Sequence, residues 1–244
     1  MQQLELDRCH GIVRKGIWQR ILIPILLIIL IVPAWGDDKS KDEETLKNAA
    51  KVLGDMVSSK NVSSDVLANA KCIIVLPSVK KFGFGVGGSG GRGPMSCRAG
   101  KNFTGKWSAP AMYSIGGASF GLQVGGSATD FVLLIMSQNG VDALLKGKTK
   151  LGNEATAAAG PSGATRAGTV GGKDILTYAD ASGLFAGTSL GAATLEPDND
   201  ANQRLYEKSV TATEIVRENA VKATPGGQVF LSTLNSKVVK HKTQ

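Results

Sequence analysis

The sequence contains few of the side chains on which most catalytic sites depend. Among its 244 residues there are two histidines, His10 and His241, and three cysteines. His10 lies in a segment that we expect to be removed, which leaves one histidine close to the C-terminus. This scarcity argues against Ser-His-Asp and Cys-His hydrolases and against zinc sites built on histidine. We expect a protein that is not an enzyme and that uses no metal and no cofactor.

Aromatic residues are also scarce, at 5% of the chain, whereas glycine is abundant, at 31 residues. The glycines follow no Gly-X-Y period, which excludes collagen and indicates tight turns or close backbone contacts. The hydrophobic share of 42% and the charged share of 20% are typical of a globular protein. Few aromatic residues lie among the basic ones, which argues against nucleic acid as a partner.

Residues 1–36 have the pattern of a secretory signal peptide. A segment with four basic and two acidic residues precedes an uncharged run from Ile21 to Gly36, which ends in the small-residue motif Ala34-Trp35-Gly36. This run contains two prolines and is shorter than the ~20 residues that a membrane-spanning helix needs. We therefore expect cleavage after Gly36 and export, to the periplasm or a membrane surface of a bacterium. A retained N-terminal anchor is the alternative.

The expected mature chain, residues 37–244, keeps a net charge of +6. A basic excess of this size favours contact with anionic surfaces and is also compatible with plain solubility. The mature chain contains Cys72 and Cys97, each in an apolar strand candidate. In an oxidising compartment the two can form a disulfide, and two buried free thiols are the alternative.

The first part of the mature chain has the hydrophobic period of an amphipathic helix. Over residues 37–60, apolar side chains recur on one stripe, while Lys47 and Lys51 lie on another face. The stripe consists of Leu46, Ala49, Ala50, Leu53 and Val57. A short second helix is expected after Ser63 or Ser64.

The pattern then changes to strands. The first is expected to stop at Pro77, and the glycine-rich run 87–93 is expected to be a flexible turn. A last helix is expected from about Val210 to Lys222, and residues 223–244 are expected to form a polar, flexible tail. Helices at both ends with strands between them predict an α+β fold: N-terminal helices packed on a glycine-rich antiparallel sheet or barrel, with a C-terminal helix.

Two glycine motifs are incomplete matches to nucleotide-binding loops. Residues 83–88 match G-x-G-x-x-G, but no helix is expected to open there and no acidic residue follows at the required distance. Residues 100–106 approach a P-loop, but Trp107 replaces the Ser or Thr that binds Mg²⁺. Asp198 and Asp200 do not complete a calcium loop and indicate solvated turns. Lys80, Lys81 and Arg92 flank the glycine run, where they are either solvated charges or part of an anion site.

Six ordered blocks in the mature chain resemble the SYLF domain family over residues 43–220. They include an apolar strand ending in proline, a glycine-rich run, a W-S-A-P block, an acid before an apolar strand, an A-x-G-P segment and a G-L-F-A-G block. In this sequence the blocks are 74–79, 82–93, 105–110, 125–136, 158–161 and 183–190. The resemblance implies a lipid-binding domain. Together with the signal-peptide pattern and the polar C-terminal segment, it gives a domain organisation of signal peptide (1–36), lipid-binding domain (37–222) and tail (223–244).

The resemblance further implies a non-enzymatic protein that binds anionic phospholipid or phosphoinositide-like lipid at a membrane surface. The family's membrane contact is expected in the N-terminal amphipathic helix, where Lys47 and Lys51 meet headgroups and Leu46 and Leu53 enter the acyl boundary. The alternative is that the apolar stripe packs on the sheet. Lys80, Lys81 and Arg92 complete the candidate lipid-binding set. Since some relatives bind actin, a structural or protein-interaction module, with a protein partner or self-association, is the alternative function.

Overall fold

The computed structural model describes residues 35–84, 86–120, 125–151, 157–159, 174–180 and 193–238. Nearly all of the expected signal peptide lies outside the described residues. The chain divides into two compact units, residues 1–36 and residues 37–244, and the description below concerns the second. Within the part of the chain that the structure describes, no helix is long and apolar enough to cross a membrane.

The described strands form one sheet of eight strands. Its order is β5-β8-β3-β2-β1-β4-β7-β6, and all neighbouring pairs are antiparallel except β6 and β7. The strands are β1 (Cys72–Phe84), β2 (Val86–Cys97), β3 (Ala111–Phe120), β4 (Gly125–Ile135), β5 (Thr149–Lys150), β6 (Ala157–Ala159), β7 (Ile175–Asp180) and β8 (Thr194–Pro197).

Helices cover both faces of this sheet. They are α1 (Trp35–Ser58), α2 (Ser64–Asn69), α3 (Gln138–Leu145), α4 (Asn199–Tyr206), α5 (Ala212–Val216) and α6 (Pro225–Lys237). Because side chains alternate along a strand, β1 supplies both cores. Ile73 and Val75 pack with α1, α2 and α6, whereas Ile74 and Leu76 pack with α3 and α5. The predicted α+β fold, with its antiparallel sheet and terminal helices, is confirmed.

Strand β1 does not stop at Pro77, where the sequence pattern predicted its end. It continues to Phe84 through a bulge at Pro77 and Ser78, where the register with β2 and with β4 shifts by one residue. Ser78 has a left-handed φ of 52°, and its N–H donates to Asp130 Oδ1 at 2.7 Å. The carboxylate replaces the ladder hydrogen bond that the bulge removes, and the strand resumes at Val79.

The glycine run 87–93 is also regular strand rather than a flexible turn, because β2 pairs with β1 on one side and with β3 on the other. Its glycines allow β2 to lie close to the bulge. A Cβ on Gly93 would come within 1.9 Å of the Val75 carbonyl oxygen, and one on Gly91 within 2.9 Å of the Val79 side chain. Glycine is needed at these two positions because β1 and β2 approach each other closely there, and not because the segment is flexible.

The segment expected to be a flexible tail contains helix α6. Thr224 caps its N-terminus by accepting a hydrogen bond from the Gly227 N–H, and Pro225 occupies the first helical turn. Phe230 and Leu234, one turn apart, are fully buried in the core beneath α1. The helix expected over Val210–Lys222 is shorter than predicted, since α5 ends at Val216.

Cys72 and Cys97 form a disulfide between β1 and β2. They lie directly opposite each other in the register, with a Cα–Cα distance of 4.0 Å, and both are fully buried. The structure therefore contains the disulfide and not the alternative of two buried free thiols.

Candidate functional site: a basic groove between helices α1 and α6

Helix α1 separates its charges from its apolar stripe. Leu46 and Leu53 are fully buried, whereas Lys47 and Lys51, one turn apart, are exposed on the opposite side. Burial of a leucine side chain contributes about 2 kcal/mol. The stripe therefore packs within the protein, which is the second alternative considered from the sequence, and only the lysines of this set are at the surface.

A groove of about 450 Å³ runs between α1 and α6, and the two exposed lysines line it. Lys237 of α6 lines the same groove and donates a hydrogen bond to Ser58 Oγ at 2.8 Å, which joins the ends of the two helices. Asp55 is the one carboxylate in the lining. Three ammonium groups against one carboxylate make the groove basic.

An exposed apolar side chain lies in the same groove. Val229 of α6 is 46% exposed and is the one large hydrophobic side chain among the described residues that is exposed. Its neighbour Phe230 points into the core. The groove thus combines a cationic wall with a single apolar contact.

Lys80 and Lys81 do not line this groove. They are successive residues of β1 beyond the bulge, so their side chains leave opposite faces of the sheet. Lys80 is exposed, and Lys81 is partly buried, which lowers the pKa of its ammonium group because burial disfavours the charged form. Their role in lipid binding stays a prediction.

Arg92 takes part in a buried ion-pair network. Its guanidinium lies 2.8 Å from Asp42 Oδ1, and Arg204 Nε donates to Asp42 Oδ2 at 2.8 Å. The Asp42 side chain is fully buried, and its hydrogen bond raises the pKa of Arg204. Asp198, expected in a solvated turn, caps α4 and lies 3.8 Å from Arg92. This network ties α1 to β2 and α4, so the Arg92 charge is already balanced.

The structure therefore brings together Lys47 and Lys51 of the predicted set and adds Lys237 and Val229, which the sequence reading missed. The spacing of Phe230 and Leu234, four residues apart, indicates the helix that carries Val229 and Lys237, because it places two apolar side chains on one helical face.

The two glycine motifs have no nucleotide-binding geometry. The described glycines of 83–88 lie in the paired strands β1 and β2, and residues 100–106 form the turn between β2 and β3, with no helix after either motif. In the described ranges there is no group of three or more His, Cys, Asp or Glu side chains that could hold a metal ion.

The chain matches a known family over half of its length. The family described as Ysc84, Las17-binding protein actin regulator, matches residues 116–237. The chain belongs to the Ysc84 family. The predicted SYLF resemblance is thereby confirmed, and the family's description names binding and regulation and no catalytic activity.

Ysc84-family relatives extend the match toward the N-terminus. The chain is 32% identical over 209 residues to SH3 domain-containing YSC84-like protein 1 of Rattus norvegicus, covering 81% of this chain and 60% of the relative. It is 32% identical over 212 residues to Protein YSC84 of Saccharomyces cerevisiae, covering 82% and 44%. It is 32% identical over 205 residues to an SH3 domain-containing protein of Schizosaccharomyces pombe, covering 79% and 46%.

The chain thus spans about half the length of the curated Ysc84-family relatives that it matches. No solved structure matches it.

Proposed function

We propose that this Ysc84-family protein binds anionic phospholipid surfaces through the groove between α1 and α6, without catalysis. The observation that carries the proposal is the convergence of Lys47, Lys51 and Lys237 beside the exposed Val229. The lysine heads attract anionic headgroups, and Val229 supplies a contact with the acyl boundary.

The strength of such binding follows from the number of charges. Each lysine near an anionic membrane contributes about 1 kcal/mol. Three lysines therefore give weak and reversible attachment that depends strongly on salt, since surface charges are screened within about 10 Å at 0.1 M salt. We expect binding at low ionic strength that is lost as salt is raised.

We also propose that the protein meets this membrane after export. The support is the pattern of residues 1–36, with its basic start, apolar run and small-residue end.

Liposome co-sedimentation of the chain with neutral and with anionic vesicles tests the lipid proposal. We expect the wild type to sediment with anionic vesicles only. The Lys47→Glu/Lys51→Glu variant should lose this binding, because it reverses both charges on the α1 side of the groove.

The matched control is Lys146→Glu/Lys222→Glu, which changes the net charge equally. These lysines lie by α3 and after α5, the helices that pack on the other face of the sheet. Retained binding by the control together with lost binding by the groove variant supports the groove. Equal loss in both variants would contradict a localised site, and wild-type binding to neither vesicle would contradict lipid binding.

A protein-binding module is the second candidate, and the family's description as a Las17-binding protein and actin regulator favours it. Because the chain spans about half of its relatives, a partner bound by their remaining parts need not be shared. Concentration-dependent assembly in sedimentation velocity, with no effect of vesicles, would favour an interaction module that self-associates over a lipid-binding protein.

A further inference from the structure

The charges of the groove between α1 and α6 follow a fixed order along α1. Lys47, Lys51 and Asp55 recur every four residues, and all of them line the groove. Four residues of α-helix advance by about 6 Å, so two ammonium groups and then a carboxylate follow one another along the groove. Lys237 of α6 comes after Asp55, because its Nζ donates to Ser58 Oγ at 2.8 Å. The order of charges is therefore positive, positive, negative, positive.

The two helices that form the groove run in the same direction. Gly226, in the first turn of α6, donates its N–H to Glu43 Oε2 of α1 at 2.5 Å. Lys237, in the last turn of α6, contacts Ser58, which is the last residue of α1. The C-termini of both helices therefore lie at the end of the groove that contains Asp55, and each carries the partial negative charge of a helix C-terminus.

Asp55 has a charge that is locally unfavourable at its position. It is exposed in the last turn of α1, where the helix dipole favours cations, and that turn contains no basic residue. Among the described residues, no lysine or arginine forms an ion pair with its carboxylate, although Lys51 is four residues earlier on the same helix. Residues that break a local rule in this way are expected at functional sites. This end of the groove therefore attracts a cationic group.

The opposite end of the groove places cations beside an apolar side chain. Lys47 and Lys51 are exposed, and neither forms an ion pair with another described residue. Val229 is at this end, since it follows Gly226 by three residues and Lys47 follows the Glu43 contact of Gly226 by four. In a phospholipid the phosphate likewise comes directly after the apolar glycerol and acyl part. The groove therefore has a phosphate end and an ammonium end.

We propose that the groove prefers phosphatidylserine among anionic phospholipids, an inference that rests on the proposed lipid binding. In the phosphoserine headgroup the phosphate comes first, and the ammonium and the carboxylate of serine follow on one carbon. The phosphate meets Lys47 and Lys51, and the ammonium meets Asp55 about one helical turn further along. The carboxylate meets Lys237, whose ammonium group has further donors besides the one bonded to Ser58.

Other phospholipid headgroups do not match this order of charges. The headgroup of phosphatidylglycerol has no ammonium, so Asp55 gains no partner from it and repels its phosphate. The headgroup of phosphatidylethanolamine has the ammonium but no carboxylate for Lys237, and its net charge is zero. A preference for phosphatidylserine over phosphatidylglycerol is therefore the signature of Asp55, whereas the lysines alone attract both lipids.

Co-sedimentation of the full chain with two kinds of vesicle tests this preference. They contain phosphatidylserine or phosphatidylglycerol at the same mole fraction in the same neutral lipid, so that the surface charge is equal. We expect the wild type to bind phosphatidylserine vesicles about two- to fivefold more tightly, as one exposed ion pair allows. Asp55→Asn should bind the two vesicles alike, and its binding to phosphatidylglycerol should not fall, because the substitution removes a negative charge. Unfolding would instead lower binding to both.

Glu218→Gln is the matched control, because Glu218 is exposed after α5, lies outside the groove and changes the net charge equally. It should keep the wild-type ratio between the two lipids. Equal binding of both vesicles by the wild type, or an unchanged ratio in Asp55→Asn, would overturn the preference and leave the proposed lipid binding intact. Wild-type binding to neither vesicle would contradict the proposed function and this preference together. Calorimetric titration with O-phosphoserine tests the soluble source, and an affinity equal to that for vesicles would overturn the lipid as the ligand.

Discussion

At the scale of single residues, the partner of a charged side chain decides what that side chain does. Arg92, Lys80 and Lys81 are similar basic residues near one glycine run, yet only Arg92 has a fully buried carboxylate, Asp42, within 2.8 Å. Asp42 lies fifty residues away in sequence, on a helix that packs over β2. No local pattern distinguishes the structural arginine from an exposed lysine, and for this reason the sequence reading grouped the three as candidates for lipid binding.

We predict that Arg92→Ala destabilises the protein rather than its lipid contact. The substitution leaves the buried Asp42 with Arg204 as its partner, and losing one charged hydrogen bond to a buried group costs about 2 kcal/mol. Urea unfolding should show this loss, while the folded variant should co-sediment with anionic vesicles as the wild type does.

Lys80→Ala is the control for that experiment, because Lys80 is exposed on the neighbouring strand. Its free energy of unfolding should change by less than about 0.5 kcal/mol. An Arg92→Ala variant of unchanged stability that failed to bind vesicles would show instead that Arg92 belongs to the lipid site.

At the scale of elements, helix α6 forms one wall of the groove and part of the core. We predict that Phe230→Ala lowers the free energy of unfolding by about 3–5 kcal/mol, because it removes a fully buried aromatic ring beneath α1. Val229→Ala, at the adjacent exposed position, should change it by less than about 0.5 kcal/mol. The measurement is urea unfolding followed by circular dichroism.

The exposed position, by contrast, should matter for vesicle binding. Val229→Ala should weaken binding to anionic vesicles because it removes the apolar contact of the groove, although it leaves the fold intact. If residues 223–238 were flexible, as expected from the sequence for the whole segment 223–244, both substitutions would leave the free energy of unfolding unchanged, and that result would contradict the packing of α6.

The sequence pattern did not predict α6, and the reason is physical. Pro225, Gly226 and Gly227 are typical of a turn, and two glycines weaken an isolated helix. The structure shows what they allow: a Cβ on Gly226 would come within 2.5 Å of the Glu43 carboxylate, and one on Gly227 within 3.1 Å of Pro110. The residues that weaken the helix locally are those that let it dock, and this docking depends on α1, about 180 residues earlier.

The strands show the same division between local and distant causes. The alternating and apolar runs correctly predicted strands, and the change of period correctly predicted an α+β chain. The end of β1 could not be predicted, because Asp130, on β4, supplies the hydrogen bond that carries the strand past Pro77. Patterns within one segment predict elements, whereas contacts across the sheet set where the elements end and which charges remain at the surface.

At the scale of the whole molecule, the disulfide connects the fold to the proposed export. Cys72 and Cys97 are separated by 25 positions, and they join the two central strands of the sheet. Closing a loop of this size stabilises a fold by about 3 kcal/mol, mainly by restricting the unfolded chain. Such bonds persist in oxidising compartments and are rare in reducing ones, so the bridge and the signal-peptide pattern of residues 1–36 point to the same destination.

From the proposed cleavage after Gly36, we predict that protein recovered from the exported fraction begins at Asp37 and contains no free thiol, because that cleavage would remove Cys9 and the other two cysteines are paired. Intact mass, measured with and without thiol alkylation, checks both statements. In urea unfolding, a reductant should lower the stability of the exported protein by about 3 kcal/mol. It should leave a Cys72→Ala/Cys97→Ala variant unaffected, because that variant has no bond to reduce. Alkylation of Cys72 and Cys97 in the exported protein would show that the disulfide is absent there. That result would contradict the connection between the disulfide and export.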